Sequence, residues 1–281
     1  MTVVMPAHEE EQVIVDALEA LLDAPPADLD VIVVPNGCRD RTAARAADVS
    51  ERVRVVEIEP ARKIAALNTG VDLVEHYPVA FVDADVTVSG RDLVVLAERL
   101  SADAAAHVAS PRLSVRPSRS WLVRQYYRVW ALTDYRSSGH IGSGVYMLTE
   151  QGLRRFDRFP DVIADDLFVQ RHFAPHERLT PDDIRFEVSA PNSLAALTAR
   201  NARIAAGNRQ LAVLRPDLAG AQEASRGAAS LVRRVWWRPH LWPGFVVYSA
   251  VYLTAHRRAK RMLRERHISW NRDDTTRGRA E

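Results

Sequence analysis

The chain reads as an α/β protein with a mostly parallel sheet flanked by helices and a helical, basic C-terminal extension. Three observations carry that reading. Short apolar runs alternate with helix-period segments over residues 2–110, joined by short connections, as in right-handed βαβ units. The runs Val31-Ile32-Val33-Val34 and Pro78-Val79-Ala80-Phe81-Val82 are apolar throughout, as strands buried on both faces are. Charge is unevenly divided: residues 1–225 hold 25 basic and 32 acidic side chains, residues 226–281 hold 13 and 4.

In order, Val3-Val4-Met5 is the first strand, and Glu9 to Leu22 is a helix with Val13, Ile14, Ala17, Leu18, Leu21 and Leu22 at helical spacing. The strand 31–34 closes on the turn residues Pro35-Asn36-Gly37. A helix over about 41–47, a strand at 53–56 and a helix over 64–74 lead to the strand ending at Val82. Beyond it the spacing predicts a helix over 93–100, a strand near 107–109 and an aromatic-rich helix over 121–135. A glycine-rich loop over 138–144 feeds a short strand at 145–147. No long helix follows it, which argues against a dinucleotide or phosphate-loop fingerprint. Its three glycines require close approach of the backbone to a neighbouring strand or a ligand. Asp165-Asp166 opens a short helix, 185–188 is a strand, and Ser193 to Leu214 is a long helix.

Composition narrows the class. The 47% hydrophobic and 26% charged content is that of a globular protein with an ample core. A single cysteine, Cys38, excludes a disulfide framework and a multi-cysteine zinc site, and suits a reducing compartment. No secretory leader precedes the first strand, so a cytoplasmic location is expected. Only Lys63 and Lys260 are lysines among 38 basic residues, which singles out Lys63 within its helix.

Asp83-Ala84-Asp85 follows the most apolar strand. Carboxylates at that point stand on the rim where open α/β sheets place ligands. Unpaired acids are too costly to bury, and two at this spacing can hold a hard divalent cation that in turn holds phosphate oxygens.

The stretches "VVMPAHEE", "VIVVPNGCRDRT", "KIAALNTG", "FVDADV", "GSGVYML" and "ADDLFV" occur in an order that resembles the family-2 inverting glycosyltransferases of GT-A (Rossmann-like) fold. The resemblance covers about residues 2–215 and implies a catalytic domain over 1–215, with 216–281 as a separate extension. It implies transfer of a sugar from a UDP- or GDP-sugar to a hydroxyl acceptor, lipid-linked or small, assisted by Mg²⁺ or Mn²⁺. On the donor side it implicates Pro6, Ala7, Glu9, Asn36, Lys63, Asp83, Ala84 and Asp85, with Asp85 and Asp83 at the metal. Asn36 stands where the family often has Asp, and Asp40 is expected to cap the next helix rather than touch the donor. Arg200 and Arg203, expected on the donor side at the diphosphate, stand where processive relatives carry Gln-x-x-Arg-Trp; that motif is missing, which argues against long-chain polymerisation.

An acceptor hydroxyl must lose its proton as the new bond forms, and a positioned carboxylate can take it. Leu167, Val169 and Phe173 fall at the family's offsets when Asp166 is the base and Asp165 replaces the usual Glu; Arg171 fits the register one residue away. Attack from opposite the leaving group gives inversion. Gly142, Ser143 and Gly144 are expected on the acceptor side. A nucleotidyltransferase, or a non-catalytic nucleotide-sugar-binding or membrane scaffold protein, are the alternatives.

In the extension, Leu241 to Ala255 is apolar but short of the ~20 residues a spanning helix needs, and Pro243-Gly244 interrupts its start. Tryptophans and arginines flank it, suiting either a helix on the inner face of an anionic membrane or a contact with the catalytic domain or a second copy in a homodimer. No aromatic-interleaved basic platform supports nucleic-acid binding. Asn271 to Glu281 is expected to be mobile.

Overall fold

The computed structural model describes residues 1–25, 28–133, 139–221 and 227–265. The expectations for the helix beyond Thr133, for Ser138 and for the last eleven residues therefore lie outside the described residues. The chain forms two compact units. The first comprises residues 1–114, 141–161 and 165–188, and the second 115–140, 162–164 and 189–281.

In the first unit, β1 (Thr2–Ala7), β2 (Asp30–Pro35), β3 (Val53–Val55) and β4 (Val79–Val82) lie parallel in the order β3-β2-β1-β4. All six residues of β1 and all four of β4 are buried, because helices cover both faces of the sheet. One face of β1 and β2 (Val3, Met5, Val31, Val33) packs on Ile14, Leu18 and Leu21 of α1 (Ile14–Leu21) and on Leu93 and Leu96 of α4 (Gly90–Ala102). Ala46 of α2 (Thr42–Ala47) joins the same core. On the opposite face Ile32 and Val34 meet Ala66 of α3 (Lys63–Asp72).

Beyond β4 the sheet stops being parallel. Its far half is β8 (Val145–Leu148), antiparallel to both β4 and β6 (Val108–Ala109), with β9 (Arg178–Leu179) outermost. A three-stranded sheet in the order β5-β10-β7 joins β5 (Val86–Thr87), β10 (Arg185–Ser189) and β7 (Arg112–Arg116). The two-residue strands β5 and β9 are too short for an alternating pattern to declare them in sequence. The short helix α6 (Glu150–Leu153) follows β8.

The first helix begins at Ile14, five residues later than its periodicity suggests. Backbone N–H groups of Glu9, Glu10 and Glu11 donate instead to Cys38 Sγ, Thr42 Oγ1 and Asp40 Oδ2, in the loop after β2 and at the start of α2, and Glu9 takes φ +57°. The left-handed φ of Glu9 breaks the helical run, and the three N–H groups find their acceptors across the strand ends. Asp40 accepts the N–H of Thr42 at the start of α2.

The second unit is helical. It holds α5 (Trp121–Trp130), α8 (Leu194–Leu214), α9 (Gly227–Trp236) and α10 (Trp242–Arg264). The boundary at 215/216 falls within it. Val251 of α10 packs with Val123 and Tyr126 of α5 and Leu197 of α8, and Ala259 with Ala205 and Ala206. Tyr248 stacks on Tyr126 at 5.2 Å. Pro243 does not interrupt this helix: it sits in the first turn, where a missing N–H is harmless and its fixed φ is helical. A side chain at Gly244 would meet the carbonyl oxygen of Gln125 at 2.6 Å, so only glycine lets α10 approach α5 this closely.

Candidate active site

The parallel strands β1, β2 and β4 end together, and their carboxyl ends define the rim. Asp83-Ala84-Asp85 is the turn leaving β4. The N–H of Asp83 donates to the carbonyl of Gly144 (2.8 Å), and the N–H of Val86 closes back on the carbonyl of Asp83 (3.1 Å). Ala84 is buried and Asp85 is exposed. The two carboxylates therefore have different surroundings despite being two residues apart.

Asp83 faces inward onto an ion-pair cluster. Lys63 Nζ, at the first turn of α3, lies 2.7 Å from Asp83 Oδ1 and 3.1 Å from Asp165 Oδ1. Asp165 opens α7 (Asp165–Arg171) and is only 4% exposed. Its other oxygen accepts the hydroxyl of Tyr146 on β8 at 3.0 Å. Tyr146 is itself buried, opposite Phe81 in the β4–β8 register and stacked on it at 5.2 Å.

Burial disfavours the Lys63 ammonium, but Asp165 and then Asp83 more than offset this and hold its pKa above the ordinary lysine range. Asp83 is pushed up to about 6, first by burial; Lys63 pulls it down, and Asp165 and Asp85 push it further up. Burial, then Asp165 and Asp83, hold the Tyr146 phenol well above its usual range, so Tyr146 stays a donor to Asp165.

Asp166 faces a different set of partners. It is partly exposed, and its two oxygens accept the N–H of Ser143 (3.1 Å) and its neighbour Leu167 (2.7 Å). Burial and the adjacent Asp165 raise its pKa, against the opposing pull of those N–H groups and of Lys63. A carboxylate of raised basicity, with a side open to solvent, can accept a proton from a bound hydroxyl.

The glycine-rich loop explains its composition here. Gly142 has φ +112°, and a Cβ there would lie 2.3 Å from Cβ of Asp166. Ser143 and Gly144 also take positive φ. At Gly142 the close approach is to Asp166, whose carboxylate accepts the N–H of Ser143; at Gly144 it is to Val86 and Asp83, whose backbone N–H donates to the carbonyl of Gly144.

The other expected donor-side residues surround the first strand ends. Pro6 and Ala7 are buried at the end of β1, and Glu9 Oε1 accepts the N–H of Arg39 at 2.7 Å. Asn36 is buried, and its amide donates to the carbonyl of Ala7 (2.9 Å), tying β2 to β1. Asn68 pairs doubly with the backbone of Phe159. Arg200 and Arg203 lie on α8 of the second unit, both half-buried. Tyr146 escaped sequence reading because it stands in an apolar strand. The signal was available: a tyrosine among buried residues needs a partner for its hydroxyl.

For a cation the donor set is oxygen. Asp85 presents an exposed carboxylate at the rim, and among the described residues no group of three or more His, Cys, Asp or Glu forms a cage. Magnesium-like ions keep waters and are held by one or two carboxylates plus substrate phosphates. The residues present fit an ion of that kind shared with a diphosphate.

The same fold occurs in solved glycosyltransferases. The mannosyltransferase PcManGT from Pyrobaculum calidifontis, in complex with GDP-Man and Mn²⁺, superimposes with TM-score 0.62 at 21% identity, covering 94% of this chain and 74% of its own. TarS of S. aureus in complex with UDP gives 0.51 at 14% identity over 98% and 94%. Glucosyl-3-phosphoglycerate synthase from Mycobacterium tuberculosis, with phosphoglyceric acid, gives 0.52 at 19% over 79% and 81%. At these identities the likeness is one of fold. No curated protein matches the chain at a significant level. The sequence profile of glycosyl transferase family 2 does match, over residues 2–156, more than half of the chain, and the protein belongs to that family of glycosyltransferases.

Proposed function

We propose that the protein moves a sugar from a nucleotide-sugar donor to a hydroxyl acceptor by a single displacement with inversion, with Mg²⁺ or Mn²⁺ as cofactor. The observation that carries this reading is the division of labour among three neighbouring acids. Asp165 is buried and satisfied by Lys63 and Tyr146, Asp83 shares that lysine, and Asp166 is partly exposed with raised basicity. Asp166 is then the base: its oxygen takes the acceptor's proton while the acceptor oxygen bonds to the sugar carbon and the bond to the nucleoside diphosphate breaks. Asp165, Lys63 and Tyr146 position it. Gly142 and Ser143 border the acceptor side through their contact with Asp166, and Gly144 through Asp83.

Asp85 would hold the cation and Asp83 would assist, through a ribose hydroxyl or a metal-bound water. When bound, the cation neutralises charge on the departing diphosphate as a Lewis acid. Pro6, Ala7, Glu9 and Asn36 edge the nucleoside side. The assignment of Arg200 and Arg203 to the diphosphate rests on the family resemblance. The bound GDP-Man and Mn²⁺ of PcManGT, and the UDP and UDP-GlcNAc of TarS, support a nucleotide-sugar donor and a metal of this class. The acceptor is read as lipid-linked or small, reached from the inner face of a membrane that the basic extension touches.

A panel of UDP- and GDP-sugars with and without Mn²⁺ tests the reading by thermal shift, because a ligand stabilises in proportion to occupancy. The anomeric configuration of the product then tests inversion. Absence of any nucleotide-dependent shift under every metal would sink the assignment.

A further inference from the structure

We infer that the corner between α9 and α10 is a surface for an anionic lipid bilayer, with its tryptophans inserted and its arginines at the headgroups. The inference rests on the peripheral membrane contact in the reading above and adds the surface and its orientation. It requires nothing of the chemistry.

The helix α10 has two faces. Gly244, Val251, Ala255 and Ala259 are buried against the rest of the second unit. On the opposite side Trp242, Val246, Ala250 and Leu253 follow one another at helical spacings of three or four and are all exposed, Val246 to 68%. The same stripe continues as Arg257, Lys260 and Arg264, also exposed. The exposed face is thus apolar along its first half and cationic along its second.

A second apolar element adjoins the first half. Trp236, 62% exposed, ends α9 and sits 6.5 Å from Trp242, ring to ring, and Trp237 beside it is 80% exposed. Arg233 and Arg238 flank these rings. Residues 227–265 hold eight basic side chains and one acid, Glu265.

Clustered exposed indoles are unfavourable in water but suit the bilayer interface, where an apolar body and a polar N–H are both satisfied. The positive charge complements anionic lipid. Among the described residues no helix is long and apolar enough to cross a membrane, so the contact is with one leaflet. The lengthwise split orients it: the tryptophan end lies deeper and the Arg257–Arg264 end stays among the phosphates.

The test uses the whole chain with vesicles of phosphatidylcholine alone or with about a third phosphatidylglycerol. We expect co-sedimentation with the anionic vesicles only, weakening as salt rises. We also expect a blue shift of tryptophan emission and its quenching by brominated acyl chains. Replacing Trp236, Trp237 and Trp242 together by serine should weaken binding roughly tenfold or more, and Arg257→Gln with Lys260→Gln should weaken it without removing the blue shift. Circular dichroism melting shows whether each variant folds, and thermal shifts with GDP-mannose or UDP-GlcNAc and Mn²⁺ follow the donor site independently. Vesicle binding absent, or unchanged in the triple tryptophan variant, overturns this inference even where donor binding persists. A dimer in sedimentation equilibrium that the triple variant dissolves would assign the patch to a second copy and overturn it as well.

Discussion

Lys63 Nζ lies 3.1 Å from Oδ1 of Asp165, joining the first turn of α3 to the first turn of α7. The same ammonium reaches Asp83, so removing it strands two acids, one almost fully buried. Breaking a buried pair from one side costs about 3–5 kcal/mol, because the remaining charge loses its compensation. Lys63→Met should lose stability of that order in urea denaturation at neutral pH. A loss under about 1 kcal/mol would show that the ammonium is no keystone.

Asp166→Asn removes the proposed proton acceptor while leaving a side chain that can still accept the N–H of Ser143. Turnover should fall about 10²–10⁴-fold with donor affinity nearly unchanged. With Asp166 as the proposed base, the rate of the unaltered protein should fall as pH drops through a pKa above the ordinary aspartate range. Lys63 lowers that pKa, so Lys63→Met should shift the fall to higher pH. A kcat/KM profile of each protein checks both directions.

Asp85 is exposed at the rim, so Asp85→Ala should leave stability within about 0.5 kcal/mol. What it should remove is the part of nucleotide-sugar stabilisation that depends on Mn²⁺. An undiminished manganese-dependent thermal shift in this variant would place the ion elsewhere.

Gly142→Ala puts a methyl carbon 2.3 Å from Cβ of Asp166 and imposes a side chain at φ +112°. Strain of this kind costs about 1–3 kcal/mol. Because the displaced neighbour is the proposed base, transfer should drop further than stability does. Parallel melting and rate measurements separate the two effects.

Glu177 pairs with Arg155 on the first unit, and Arg155 also lies over the ring of Phe173. The arginine's hydrogen bond holds the Glu177 carboxyl down at about 2, below its ordinary value of 4.5. A depressed folded-state pKa contributes stability above the unfolded value that is lost as pH falls from about 4.5 toward 2. Glu177→Gln should therefore be less stable by about 1–2 kcal/mol at pH 7. The two proteins should converge in denaturant midpoint near the acid end.

Sequence pattern reached the parallel half of the sheet because β1, β2 and β4 are buried on both faces and read as unbroken apolar runs. The family resemblance put Asp83, Lys63, Asp165 and Asp166 onto one candidate list, which the fold gathers into one place. What sequence pattern missed depends on pairing across long separations. The antiparallel direction of β8 is fixed by the partners it meets, and the two-residue strands β5 and β9 have no period of their own. That Lys63 would meet two carboxylates, and Tyr146 complete the set, follows from the junction of α3, α7 and β8, which no local spacing encodes.

The glycine seat at Gly244 means that the last helix is no detachable appendage. Its inner face supplies Val251 to the cluster of Val123, Tyr126 and Leu197, and Phe245, with Leu241 just before the helix, to the cluster of Val129 and Val235. Trimming the gene at residue 215 to isolate a minimal catalytic fragment would uncover an oily trough on α5 and α8. Such a fragment would precipitate or bind chaperones, and its inactivity would say nothing about the chemistry at Asp166.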